Sequence, residues 1–540
     1  CKAHMPHTLS MEISLIHASL FLAPLILLPL YLLSWRRRKN PSNGQGRGNN
    51  IPSPPALPLL GHLHLLKKPL HRSLAALAAR YGGGRDGAGL LLLRFGARPV
   101  LLVSSPTIAE ECFTVHDVAL ADRPGLASSR LLTGGDCPSI ATASYGPLWR
   151  HLRRIATVHA LSAHRLSLTT ATRDAEARTM ARKLWRAAGA GAGAGASVVS
   201  VKSTAYEFVV NVIMTMVAGR RMPEDEVLRF KAMTEAALAA AGSANRQDFL
   251  PLLRLLDFGR TGKRLAGLAK ERHEFGQRLV DEYRRLHRRG VTDETCTSAP
   301  RTVMGDLLQQ QERSPESYTD VVIRTVCLSL LQAGTDTSAS TIEWAIALLL
   351  NNPDVLVKAR EEIDVVVGMS RLLEERDLTC LPYLRCIIAE TLRMYPIAPH
   401  LTPHQASCDC IVADGQYVIR QGTMLLIDVY SMQRDPAMWD DPTIFKPERF
   451  AVEEDITEGG DKKLKMMPFG MGRRKCPGEG LAWRTVGVAL GVMVQCFRWE
   501  RVGQEKVDMT EGSGFTMPMD VPLMVMCRPR EEVDAMLRRI

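Results

Sequence analysis

A chain of 540 residues, 46% of them hydrophobic, can bury a large core, although length alone also permits two or three ordinary domains. Its formal net charge of +11 favours an acidic partner or an anionic membrane surface. With no zinc-finger spacing or RNA-binding signature, no nucleic acid is expected as a partner. Twelve scattered cysteines without a C-x-x-C pair argue against a dense disulfide framework, a structural zinc and a thioredoxin-like redox site, and fit a reducing, cytosol-facing setting.

The chain opens on Cys1, with Met11 a sensible start, so residues 1–12 read as a segment partly extraneous to the natural protein. Residues 13–33, ISLIHASLFLAPLILLPLYLL, contain no Asp, Glu, Lys or Arg. As a helix they would extend roughly 30 Å, about the thickness of the bilayer hydrocarbon. Arg36, Arg37, Arg38 and Lys39 come after this run, the reverse of a cleaved signal peptide, which predicts a single transmembrane signal anchor with the body of the chain cytosolic. Residues 34–60, basic and then rich in proline (Pro52, Pro54, Pro55, Pro58), read as a hinge, leaving 61–540 as one large domain.

Within that domain, residues 90–103, broken by Gly96 and Pro99, predict a β-hairpin, and residues 417–429 a second β stretch. The Ala/Gly alternation at 187–196 reads as a flexible surface insertion. A helix over 319–351, apolar on nearly all sides and stopped before Pro353, would cross the middle of the domain. Others are expected over 383–395 and from just after Cys476 through LAWRTVGVALGVMVQCF. The fold class is therefore mainly α with a small β portion.

Residues 333–338 of the long helix read AGTDTS, four of them poor helix formers. Gly334 leaves room for a ligand to approach, while Asp336 and Thr337 supply an acid and an alcohol suited to relaying protons; a helix cap or a polar face is the plainer reading. Glu390 and Arg393, three apart in AETLR, by themselves suggest a surface ion pair. In PFGMGRRKCPGEGLA, residues 468–482, the glycines Gly470, Gly472 and Gly478 permit a tight loop, and the helix start behind Cys476 would stabilise a thiolate. Arg474 could reach an anionic group on the same ligand and Phe469 could pack on its flat face. A buried structural cysteine is the alternative.

The pattern F-x-x-G-x-R-x-C-x-G, filled by Phe469, Gly472, Arg474, Cys476 and Gly478, resembles the haem-binding loop of the cytochrome P-450 superfamily, a family whose haem iron is held by a Cys thiolate. AGTDTS, the E-x-x-R of Glu390 and Arg393, PERF at 447–450 and the W-x-x-x-R of Trp149 and Arg153 occur in that family's order. The resemblance implies a cytochrome P-450 fold, a single large helical domain behind an N-terminal transmembrane helix, carrying haem b with Cys476 as axial iron ligand. It further implies Asp336 and Thr337 as the oxygen-activation pair, Arg153 and His404 as haem propionate partners, and Glu390, Arg393 and Arg449 as a buried structural triad.

By the same resemblance the chain looks like a plant microsomal monooxygenase of the isoflavone-hydroxylase-like clade, acting on a small apolar or phenolic metabolite or a herbicide. It would sit in the endoplasmic reticulum membrane and take NADPH electrons through the FAD and FMN of NADPH-cytochrome P-450 reductase, with cytochrome b5 a further donor. Lys462, Lys463, Lys465, Arg473 and Lys475 could face that acidic flavin domain. Two other readings stay open: an O2-independent haem-thiolate isomerase or dehydratase, and a non-enzymatic membrane-tethered haem binder. Departures from the family pattern are Arg420, Gln433 and His400. The first two are expected to affect packing, and His400 to stand in the substrate pocket, where an imidazole can hydrogen-bond a substrate hydroxyl or carbonyl.

Overall fold

The structure is a computed structural model that describes residues 51–83, 89–133, 137–189, 197–241, 246–251, 253, 257–288, 301–451 and 466–540. The expected anchor at 13–33, the hinge up to residue 50, most of the Ala/Gly insertion and Lys462, Lys463 and Lys465 lie outside the described residues. Among the described residues no helix is long and apolar enough to cross a membrane.

The longest helix of the domain follows from its own sequence. Thr319 caps it by accepting the Val322 amide on its hydroxyl, Asp320 sits in the first turn where the helix dipole favours an acid, and the next helix starts at Pro353. Between those signals Asp320–Asn351 runs as one unbroken helix through the residues of AGTDTS. The hydroxyls there satisfy themselves on the preceding turn: Thr335 donates to Leu331 O (2.6 Å) and Thr337 to Ala333 O (2.8 Å).

Around it, in chain order, stand helices α1 (Leu70–Tyr81), α2 (Pro106–Thr114), α3 (Ala127–Leu132), α4 (Pro147–Ala156), α5 (Thr170–Ala187), α6 (Val201–Ala218), α7 (Glu224–Ala241), α8 (Arg260–Arg288) and α9 (Val303–Arg313). The long helix itself is α10, followed by α11 (Pro353–Val366), α12 (Pro382–Met394) and α13 (Glu479–Cys496). α6 lies along α10, and α8, α12 and α13 also pack on it. The centre of this layer is apolar: Trp344 of α10 is fully buried, stacked 3.9 Å from the ring of Tyr395, with its indole N–H donated to Met517 O.

The hairpin at 90–103 forms as β1 (Leu90–Phe95) and β2 (Arg98–Val103), paired from Leu90 opposite Val103. β2 runs parallel to β7 (Met424–Ile427), and β7 pairs antiparallel with β4 (His404–Gln405), giving the order β1-β2-β7-β4. β5 (Cys410–Val412) and β6 (Tyr417–Ile419) make a small separate ribbon. Residues 51–60 lie against the hairpin, where Leu92 donates its amide to Pro52 O and Gly96 to Leu60 O.

The β portion is small, as the sequence predicts, but it includes a sheet that no sequence signal showed. A third sheet joins β3 (Ser197–Ser200), β9 (Met524–Pro529) and β8 (Phe497–Arg501). Consequently the helix expected to reach Phe497 ends at Cys496, and Phe497 is extended and begins β8. Phe497 is fully buried in either case, which is why its hydrophobicity did not reveal the change of backbone.

Candidate active site

The cysteine loop is shaped by hydrogen bonds that turn the chain back on itself. Gly470 donates its amide to Met467 O, Lys475 to Gly472 O, and Cys476 to Phe469 O at 2.8 Å. Gly470 and Gly472 adopt φ of +71° and +66°, a region that glycine enters without strain. At Gly472 space forbids a side chain as well, because a Cβ would sit 2.6 Å from Asp117 Oδ1 and 2.8 Å from Phe113 O. Asp117 also receives the Arg473 amide and its guanidinium, so the end of α2 and the residues after it clamp the loop. Gly478, directly before α13, differs: a Cβ there would lie 3.8 Å from Cys476 Sγ, an ordinary contact.

The loop opens onto a cavity of about 580 Å³, mostly apolar in its lining, within the size range of small-molecule sites. Cys476 is accessible only in the sense that its thiol forms part of that cavity wall. Burial pushes the thiol above its ordinary pKa, opposed by the Gly478 amide and the Arg153 charge. A cation at the sulfur would reverse that balance and hold the thiolate. Phe469 lines the same wall, with its ring 6.4 Å from that of Trp483.

Three guanidiniums line the cavity beside the loop. Arg474 donates to the carbonyls of Ala121, Ile140 and Ala143 and lies 4.5 Å over the Trp149 ring; Arg153 donates to Lys475 O (2.6 Å). Arg123, which no sequence motif singled out, donates to the carbonyls of Ala141, Thr402 and Pro403. Their hydrogen-bond partners are neutral, and among the described residues none of the three has a carboxylate within 4.0 Å. Burial, with Arg474 nearby, pushes Arg123 down to about 9; burial and Arg153 take Arg474 to about 10, although Asp122 opposes the shift. All remain charged at neutral pH. Positive charge half-buried in a cavity wall in this way favours an anion placed there.

His404 of β4 is buried beside Phe113 and donates its Nδ1 proton to Leu120 O. Burial and the two arginines Arg123 and Arg474 hold the imidazole well below its ordinary range. Its Nδ1 is committed to Leu120 O, which leaves Nε2 as the ring's other polar atom.

On the α10 side, Asp336, Thr337 and Gly334 line the same cavity as Cys476. The room left at Gly334 is taken by another helix: a Cβ there would meet Ile213 Cδ1 of α6 at 2.6 Å. Asp336 is ion-paired to Lys202 of α6 at 2.9 Å, and Thr516 donates to its other oxygen at 3.4 Å. Lys202 carried no signal in the sequence.

The expected triad assembles away from the cavity. Arg393 binds Glu390 through Nε (2.6 Å) and Nη2 (2.8 Å), both residues fully buried, and Arg449 Nε reaches Glu390 at 3.0 Å. Gln433 does more than fill space. Its amide donates to Leu392 O and Arg393 O, and its oxygen accepts the Met467 amide, tying the end of α12 to the start of the cysteine loop. Arg420 makes an exposed pair with Asp409.

Among the described residues no three His, Cys, Asp or Glu gather to hold a metal, and what the cavity wall offers at Cys476 is a soft thiol. That suits an iron whose ring nitrogens come with the cofactor, and carboxylates on the same cofactor would answer the charge of Arg123, Arg153 and Arg474. The residues present fit haem b, and the thiol loop, the unmet charge and the helical domain around them define a haem-thiolate protein. The family described as Cytochrome P450 matches residues 51–524, and the chain belongs to it. It is 43% identical to cytochrome P450 81Q32 of Catharanthus roseus over 94% of this chain and 96% of that one. It is also 41% identical to the (+)-piperitol/(+)-sesamin synthase CYP81Q2 of Sesamum radiatum (92% and 95%) and 41% to the isoflavone 3'-hydroxylase of Medicago truncatula (89% and 92%). The chain is accordingly a cytochrome P450 monooxygenase, of a family that carries haem b on an axial cysteine thiolate.

Proposed function

We propose that this monooxygenase is a single-pass protein of the endoplasmic reticulum membrane that hydroxylates a small apolar or phenolic plant metabolite, or a xenobiotic of like chemistry such as a herbicide. Electrons come from NADPH through the reductase, with cytochrome b5 a further donor. The observation that carries this reading is one largely apolar cavity walled by both the Cys476 thiol and the Asp336–Thr337 pair. Hydroxylase relatives support it.

Cys476 would hold the haem iron through its thiolate, and Arg123, Arg153 and Arg474 would hold the cofactor carboxylates. Trp149 fixes the Arg474 plane. When bound, haem supplies oxygen activation. Asp336, held by Lys202, presents a carboxylate at the cavity wall. The Thr337 hydroxyl passes a proton onward once released from Ala333 O. His400 lines the cavity, its Nε2 unpaired and 3.7 Å from Asp428 Oδ1. Burial brings it down to about 3, so the ring is neutral, and with Nε2 enclosed beside Asp428 it is Nδ1 that meets a phenolic hydroxyl or a carbonyl.

The test is a mass-spectrometric metabolite screen with purified full-length protein, reductase and NADPH. Oxygenated products that require NADPH are expected, and Cys476→Ala should remove both turnover and the thiolate-type carbon monoxide spectrum. Product formed equally without NADPH would instead establish the isomerase or dehydratase chemistry. A thiolate spectrum with no product across the screen would favour a haem binder.

A further inference from the structure

A fourth unmet positive charge lines the cavity, on a helix other than those that hold the cysteine loop. Arg272 of α8 spans to α10 and α3: Nε and Nη2 donate to Gln332 Oε1 (3.1 and 2.8 Å) and Nη1 donates to Leu132 O (2.7 Å). Those acceptors are neutral, and three of the five guanidinium N–H donors are thereby used, leaving two. Among the described residues no carboxylate lies within 4.0 Å of Arg272. Burial alone pushes its pKa below the ordinary arginine value, with no acid opposing it.

Gln332 adds to the same deficit. Its oxygen is committed to Arg272, and its amide Nε2 is enclosed without a hydrogen-bond partner. Both residues line the cavity with the oxygen motif. A guanidinium with two N–H groups to spare, held in place by Gln332, thus stands in the cavity wall with no anion, an arrangement costly unless the ligand brings one. A strut between helices would not require a full charge there.

We infer that Arg272, positioned by Gln332, forms an anion-binding subsite, selecting substrates that carry a carboxylate or phenolate-type oxygen at one end of an apolar body. Gln332 lies five residues before Thr337 on α10, so the anion is held about 7.5 Å along the helix axis from the level of the Thr337 hydroxyl. That offset is about the span of one or two aromatic rings. The inference rests on the monooxygenase reading of the cavity and adds to it the polarity and placement of the substrate's far end.

Equilibrium dialysis of the haem-loaded full chain against biphenyl-4-carboxylate and its uncharged isostere 4-methylbiphenyl tests this without turnover. The wild type should favour the carboxylate, and Arg272→Gln should lower the ratio of the two affinities about tenfold or more, with Arg272→Lys between. Gln332→Glu should lower it likewise, because its own carboxylate occupies the guanidinium; this variant decides the matter if Arg272→Gln does not fold. A ratio unchanged in Arg272→Gln, or in Gln332→Glu, with the thiolate-type carbon monoxide spectrum intact overturns the subsite and leaves the monooxygenase reading standing. A wild type without that spectrum overturns the monooxygenase reading instead, and the subsite falls with it.

Discussion

Lys202 Nζ lies 2.9 Å from Asp336 Oδ1, and each side chain is only 9% exposed. The pair joins the first turn of α6 to the oxygen motif of α10, and Lys202 also bonds Ser340 Oγ on the same helix. An acid intended for proton delivery is thus fixed in place by a cation from another helix. Replacing Lys202 by Met leaves a buried carboxylate without its partner, at a cost of roughly 3–5 kcal/mol if it stays ionised. The expected outcome is a lower Tm with haem retained, and more peroxide per NADPH consumed. Unchanged coupling between NADPH and product would show that the pair has no part in proton delivery.

Thr337→Ala removes a hydroxyl whose hydrogen bond in the structure is to its own helix, at Ala333 O. Alanine is the better helix former, so stability should hold or rise slightly while coupling falls. Stopped assays that count product, peroxide and NADPH together check this. Equal product per NADPH in wild type and variant would refute the relay.

Glu390 accepts from Arg393, Arg449 and the Lys446 amide, all within 3.0 Å. Glu390→Ala leaves the fully buried Arg393 without its counter-charge, a loss of roughly 3–5 kcal/mol. Little folded, haem-containing protein should be recovered. Normal haem incorporation with an unchanged melting curve would show that the triad is dispensable.

Burial raises Asp428 to about 6 from an ordinary 3.8, with Ser431 opposing the shift. The folded state therefore binds this proton more tightly than the unfolded one. The resulting stability is complete below 3.8 and is lost as pH rises to about 6, a change of up to about 3 kcal/mol. Asp428→Asn should flatten the denaturant-measured stability across that window. Parallel pH profiles for wild type and variant would contradict the sign.

What the sequence disclosed was local. The cysteine loop, the Glu390 turn and the stop of α10 before Pro353 each write their geometry into a few adjacent residues, and all three form in the structure. Arg123, Lys202 and Arg272 were missed because each is a single basic residue whose meaning comes from partners remote in the chain; Lys202 meets Asp336 only when α6 lies on α10. Gln433 looked like a packing change for the same reason, since its three hydrogen bonds reach back to 392–393 and forward to 467. The third sheet was hidden by the shortness of β3, four residues following an Ala/Gly run.

The two glycines that flank Cys476 in its motif have different tolerance for change. In a library randomised at 472, backbone angle and the atoms of Asp117 and Phe113 reject every side chain before any chemistry is tried. At 478 the protein itself leaves space for a methyl group beside the sulfur. Selection for folding alone should therefore recover only Gly at the first position and admit Ala at the second, so that intolerance at 478 would report on what the sulfur binds.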